Sequence, residues 1–190
     1  MDCIPQEGPV SNETLDAQPR HPLTDKVFFL STILEELVGA IESLVGFEEA
    51  AGLMHIVGHN IAEKVHPHSE EGHLLTADQA LSIFNDCMKA KGGEAYLLSP
   101  DPDKRVIKIK ECLFGKEHVK NHPSLCKLTT SILGRFIAQN HGYSRIEIKE
   151  TIAQGCAECH INIDLKPSSD TESSHGIEFF GDAFLFDGSK

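Results

Sequence analysis

The hydrophobic positions of this chain change period part-way along it, and the change separates helices from strands. From Thr24 to Gly46 the apolar residues Val27, Leu30, Leu34, Leu37, Val38, Ile41 and Leu44 recur at helical spacing, with Thr24 as N-cap and Gly46 as stop. "FEEAAGLMHIVGHNIAEKV" predicts a second helix that ends before Pro67. Its face of Ala51, His55, Gly58 and Ala62 is small, which favours close approach of another element or of a ligand. In "TADQALSIFNDCMKAKGG", Thr76 and Gln79 make a capping-box pattern. Ala80, Leu81, Phe84, Cys87 and Met88 form the buried stripe of this third helix, which places Cys87 as a small core residue, and Gly92 or Gly93 ends it.

Beyond Gly93 the period falls from about 3.6 to 2. "GEAYLLS" and "RVIKIKE" flank "PDPDK", whose Pro and Asp suit a turn. Ile107 and Ile109 point one way and Lys108 and Lys110 the other, as in a sheet wet on one side. "NHPSLCKLTTSILGRFIAQNHG" is a further helix, with Pro123 near its first turn and Gly142 just past its end. "SRIEIKETI" and "CHINIDL" alternate again. The expected order is helix, helix, helix, strand, strand, helix, strand, strand. Short connections between neighbouring strands imply antiparallel pairing, so the fold class is α+β, helices packed on a small sheet of about four strands. Residues 1–22 read as a polar arm, 23–166 as one domain, and 167–190 as a linker with an aromatic tail suited to docking or to an added edge strand.

Composition narrows the function classes. A length of 190 residues suits one domain with tails, and a net charge of −12 offers no basic stripe for nucleic acid or anionic membranes. No stretch is long and apolar enough for a membrane span. The N-terminus lacks the pattern of a secretory signal, so a cytoplasmic location with reduced thiols is expected. No nucleophile elbow, phosphate loop or dinucleotide fingerprint is present, which leaves enzymatic activity undecided.

The candidate chemistry lies in the cysteines and the eleven histidines. "CAECH" at 156–160 has the form of a covalent haem attachment, which would use Cys156, Cys159 and His160. Against it, His160 is explained by strand alternation, and the chain shows no export signal. A thiolate metal site is the better reading: Cys126 begins a helix, Glu150 ends a strand, and Cys156 and Cys159 open the next strand. Soft sulfur with one carboxylate suits tetrahedral zinc, and the helix N-terminus should favour the Cys126 thiolate. His55 and His59 share a helix face at metal-pair spacing, but the sequence between them lacks the Glu of the metalloprotease motif. They read as a pocket-lining or surface pair, with haem ligation the alternative, and His66, His68 and His73 as a polar loop.

Residues 111–165, "ECLFG…HPSLCKLTTSILGRFIAQNHGYSRIEIKETIAQGCAECHINIDL", resemble the 4-vinyl reductase domain family. That family includes hydrocarbon-binding sensor domains and an accessory protein of bacteriochlorophyll synthesis, and its fold is related to Bet3-type and haem nitric-oxide sensor domains. The resemblance implies a domain that binds a hydrophobic or aromatic molecule, a homodimer, and a structural zinc held by three Cys and one Glu. Cys126, Glu150 and Cys159 match directly. Where the family has its remaining Cys this chain has Ala153; Cys156, three residues further on, could substitute, with Cys112 a second candidate for the fourth ligand. If the family's pocket is present, Phe28, Phe84 and Phe136 are core residues that would line it with His55 and His59. With no DNA-binding or ATPase module in the sequence, signalling would pass to a separate partner. A haem sensor and an accessory protein or enzyme of tetrapyrrole metabolism are the alternatives.

Overall fold

A computed structural model describes residues 26–65, 75–90, 93–97, 101–167 and 176–182. The Thr24 cap and the histidines at 66, 68 and 73 lie outside the described residues. The chain divides into two compact units, 1–34 and 35–190. In the first, the opening turns of helix α1 (Lys26–Val45) carry Phe28 and Phe29, which are 51% and 44% exposed. They are therefore not core, because helical periodicity says which residues share a face and not whether anything covers it.

In the second unit α1 ends at Gly46, whose φ of +85° few other residues adopt. There follow α2 (Phe47–Val65), α3 (Ala77–Ala90), β1 (Glu94–Leu97), β2 (Lys104–Glu111), α4 (Lys116–Asn121), α5 (Leu125–His141), β3 (Tyr143–Glu150), β4 (Cys159–Asp164) and β5 (Ile177–Phe180). A 3-10 turn, Ile152–Gln154, joins β3 to β4. The α+β class and the antiparallel sheet are as expected, with α4 and the tail strand β5 added.

Local chemistry sets several boundaries. The capping box forms: the Thr76 N–H donates to Gln79 Oε1 at 2.9 Å, and the Gln79 N–H donates to Thr76 Oγ1 at 3.3 Å. Gly142 closes α5 at φ 93°, its N–H on the Ala138 carbonyl. Glu42 of α1 accepts from the Ser124 N–H at 3.2 Å, satisfying an orphan donor before α5 that no side chain of that turn reaches. Burial pushes the Glu42 carboxyl up, but its bonds to Ser124 and His122 outweigh that and hold it below the usual range.

The five strands run in the order β1-β2-β4-β3-β5, every neighbour antiparallel. β4 thus lies between β2 and β3, with Ile161 opposite Ile107 on one side and Ile148 on the other. Ile107, Ile109, Ile161 and Ile163 are buried on one face, and Lys108, Lys110 and Asn162 alternate onto the wetter one. α3 and α5 cover the apolar face through Leu81, Met88, Leu133, Phe136 and Ile137. α2 lies against α5 through its small residues Ala51, Gly58 and Ala62. Cys87, expected in the core, is exposed instead: Ala80, Leu81 and Met88 fill the buried stripe of α3, and Cys87 falls at its edge.

Candidate functional site

Three cysteines come to one cavity on the apolar face of the sheet. Cys159 opens β4 opposite Ile109, and strand alternation sends it to the same face as Ile161 and Ile163. Cys126 stands at the start of α5, and Cys112 follows the last residue of β2. All three line one cavity of about 40 Å³, walled by apolar residues together with Thr129, Thr130 and Thr151. Thr151 also caps the 3-10 turn through the Gln154 N–H at 3.1 Å, and the Ile152 N–H points at Cys159 Sγ at 3.3 Å. Gly155, at φ 92°, turns the chain toward Cys156, which neighbours Cys159.

Burial first, then the adjacent Cys159 and Cys112, push the Cys126 thiol up to about 12. Burial raises Cys112 and Cys159 as well. The expected help from the helix N-terminus is therefore overridden: desolvating a thiolate costs more than the first turn of α5 returns. The donors suit a soft cation, whose positive charge would offset that of three partly desolvated thiolates. Their present arrangement does not complete such a site, since among the described residues no three His, Cys, Asp or Glu side chains are disposed to hold a metal ion.

Glu150 is not brought to the thiols. The register shifts between Ile148 and Glu150, so that Glu150 pairs with His160 and is exposed. An extra residue in one strand switches every later side chain to the other face, and here it carries the carboxylate away from Cys159. His160, next to Cys159 in an extended strand, lies on the opposite face of the sheet from it.

The five pocket candidates go to different places. Phe136 is buried in the core and Phe28 is exposed in the other unit. His55 Nδ1 shares a 2.7 Å hydrogen bond with Ser131 Oγ of α5, and its ring lies 5.6 Å from that of Phe179 of β5. His59 faces Glu63 at 3.7 Å. Burial, then the nearby His59 and Lys127, hold His55 below its ordinary pKa, so it is a neutral bridge between helices.

Phe84 lines a second cavity, of about 190 Å³, between α3 and the β1–β2 hairpin. Leu81, Ala95, Ile107 and Phe84 line it, the β1 strand contributes its backbone at Tyr96, and Ser82 and Asp78 stand exposed at its rim. Arg105 of β2 grips Asp78 with two bonds of 2.7 and 3.1 Å, which fixes the start of α3 to the sheet. The hydrogen bond from Arg105 holds the Asp78 carboxyl below the usual range. Asn85 and Tyr96, eleven positions apart, carry no sequence signal of their own. Only the packing of α3 over β1 places them at one cavity.

Residues 33–164 match the family described as Methanogen output domain 1. No curated protein matches the chain. Among solved structures, the phenol-responsive sensory domain of the transcription activator PoxR, crystallised with phenol, aligns at a TM-score of 0.52 and 14% identity, covering 70% of this chain and 73% of that one. A trafficking protein particle complex subunit 3 from Naegleria fowleri, covalently bound to palmitic acid, aligns at 0.48 and 17% identity, covering 73% and 96%. The fold is thus that of the phenol-responsive domain.

Proposed function

Because this chain belongs to the Methanogen output domain 1 family and shares its fold with a phenol-responsive sensory domain, we propose that it is a sensor domain for a small, mostly apolar molecule. The observation that carries the reading is a cleft of about 190 Å³ between helix and sheet, partly open to solvent and large enough for a small organic molecule. The expected binder is neutral or apolar, since a chain of net charge −12 repels anions. Binding shifts the packing of the helices over the sheet, and a separate partner reads the shift.

A structural zinc belongs to the same proposal. Cys112, Cys126 and Cys159 would supply three thiolates and Cys156, beside Cys159, the fourth, in place of the outward-turned Glu150. Such a site binds the β3–β4 turn to α5. A closed set of four ligands leaves no position for a substrate, so the metal's contribution is to stability.

The outward residues of α2 support a homodimer. Leu53, Ile56 and Val57 follow helical spacing and are 44%, 55% and 41% exposed. An apolar stripe of this kind is a natural surface for a second copy. Light scattering on the full chain is expected to show a dimer that Ile56→Glu dissociates, and a wild-type monomer would remove this part.

Two measurements on the purified full chain test the rest. A panel of small aromatic and aliphatic molecules should raise Tm with increasing ligand concentration. A panel without any shift overturns the sensor reading. Elemental mass spectrometry should find zinc that is lost in Cys126→Ser. Iron with a Soret band would replace zinc by haem.

A further inference from the structure

We infer that the cavity between α3 and the β1–β2 hairpin takes a small neutral molecule with one flat apolar ring system and one hydrogen-bond donor. The inference rests on the sensor reading and adds the site and the class of ligand. Size comes first. A cavity of about 150 Å³ lined by aliphatic and aromatic side chains holds benzene, and this one measures about 190 Å³. The thiol-lined cavity, at about 40 Å³, has room for little more than a water or an ion.

Shape follows from the walls. The aliphatic floor is buried, and Phe84 of α3, packed against the core, supplies the flat aromatic side. The Asp78–Arg105 pair anchors the facing helix, so the width of the slot is set by two fixed elements.

Polarity comes from Asn85. It lines the cavity, and its side-chain oxygen is buried without a hydrogen-bond partner. An unpaired buried acceptor costs about 1–3 kcal/mol. The broad χ2 torsion of an asparagine lets the carboxamide turn toward a ligand with little strain. A donor on the ligand would satisfy that oxygen. An anion would meet this acceptor and the Asp78 carboxylate, with Arg105 already engaged by Asp78, so a neutral donor is selected.

The test uses indole and N-methylindole, which differ in the donor, with amide NMR spectra of the full-length protein. Indole is expected to shift the amides of residues 81–85 and 95–97 saturably, and N-methylindole to bind about tenfold more weakly. Asn85→Ala should bring indole down to the level of N-methylindole while leaving the Tm of the empty protein unchanged or higher. Ser82→Phe, at the exposed rim, should block both probes without touching the core. Equal affinity of the two probes overturns the donor assignment. Indole shifts confined to other residues overturn the site while leaving the sensor reading intact. No shift with either probe overturns the inference, and the broader ligand panel then decides the sensor reading independently.

Discussion

Gly58 of α2 lies directly against the backbone of α5: a Cβ at this position would stand 2.6 Å from the Leu128 carbonyl oxygen and 2.8 Å from Ser131 Cβ. Neither the carbonyl nor the helix that carries it yields easily. Gly58→Ala is therefore expected to lose about 1–3 kcal/mol despite the better helix propensity of alanine. Urea unfolding should show a lower midpoint with an unchanged slope. An unchanged midpoint would mean that the two helices are not packed this closely.

The pair Asp78–Arg105 should make stability pH-dependent in acid. The folded pKa of Asp78 lies below its unfolded value of about 3.9, so its contribution is complete above that pH and fades as the pH falls through the folded value. Asp78 is itself largely exposed, which limits the pair to about 1 kcal/mol at neutral pH. Asp78→Asn should lose that amount near neutrality and little at the acid end. A constant difference across the acid range would contradict the assignment.

His55 acts at a higher pH. Its folded pKa lies below the unfolded value of about 6.5, because burial beside Ser131 and Phe179 and the proximity of His59 and Lys127 disfavour the imidazolium. Its contribution is complete above about pH 6.5 and is lost as the pH falls toward the folded value. The Tm of the wild type should drop on mild acidification, and His55→Asn should flatten that segment of the curve. A His55→Asn profile parallel to the wild type would rule out this histidine as the cause.

The thiols should differ sharply in reactivity once chelator and reductant have removed any metal. Cys87 is exposed, whereas Cys126 is only partly exposed with its thiol pushed up to about 12, and Cys112 and Cys159 are raised as well. Only thiolate reacts with iodoacetamide, so in mildly alkaline buffer, among the described cysteines, Cys87 should label first and Cys126 last. Peptide mass spectrometry reads the order directly. Fast labelling of Cys126 in the folded protein would show that its site is open to water.

Much of this protein follows from local pattern alone. Helical spacing, the Thr76–Gln79 box, the glycines at 46 and 142 and the alternation in β2 and β4 each act over a few residues, and all recur in the structure. The same patterns place Cys126 at a helix start and Cys159 at a strand start. Tertiary structure decided the rest. Insertion of β4 between β2 and β3 brought Cys112 to the other two thiols, and the shift at Ile148/Glu150 turned the carboxylate away. Cys87 and Phe28 share a period with buried residues yet stay exposed, since a period gives a face and only a distant partner covers it. The larger cavity is of the same kind: Asn85 and Tyr96 are eleven positions apart in the sequence with nothing local to link them, and only the packing of α3 across the sheet makes them neighbours of one space.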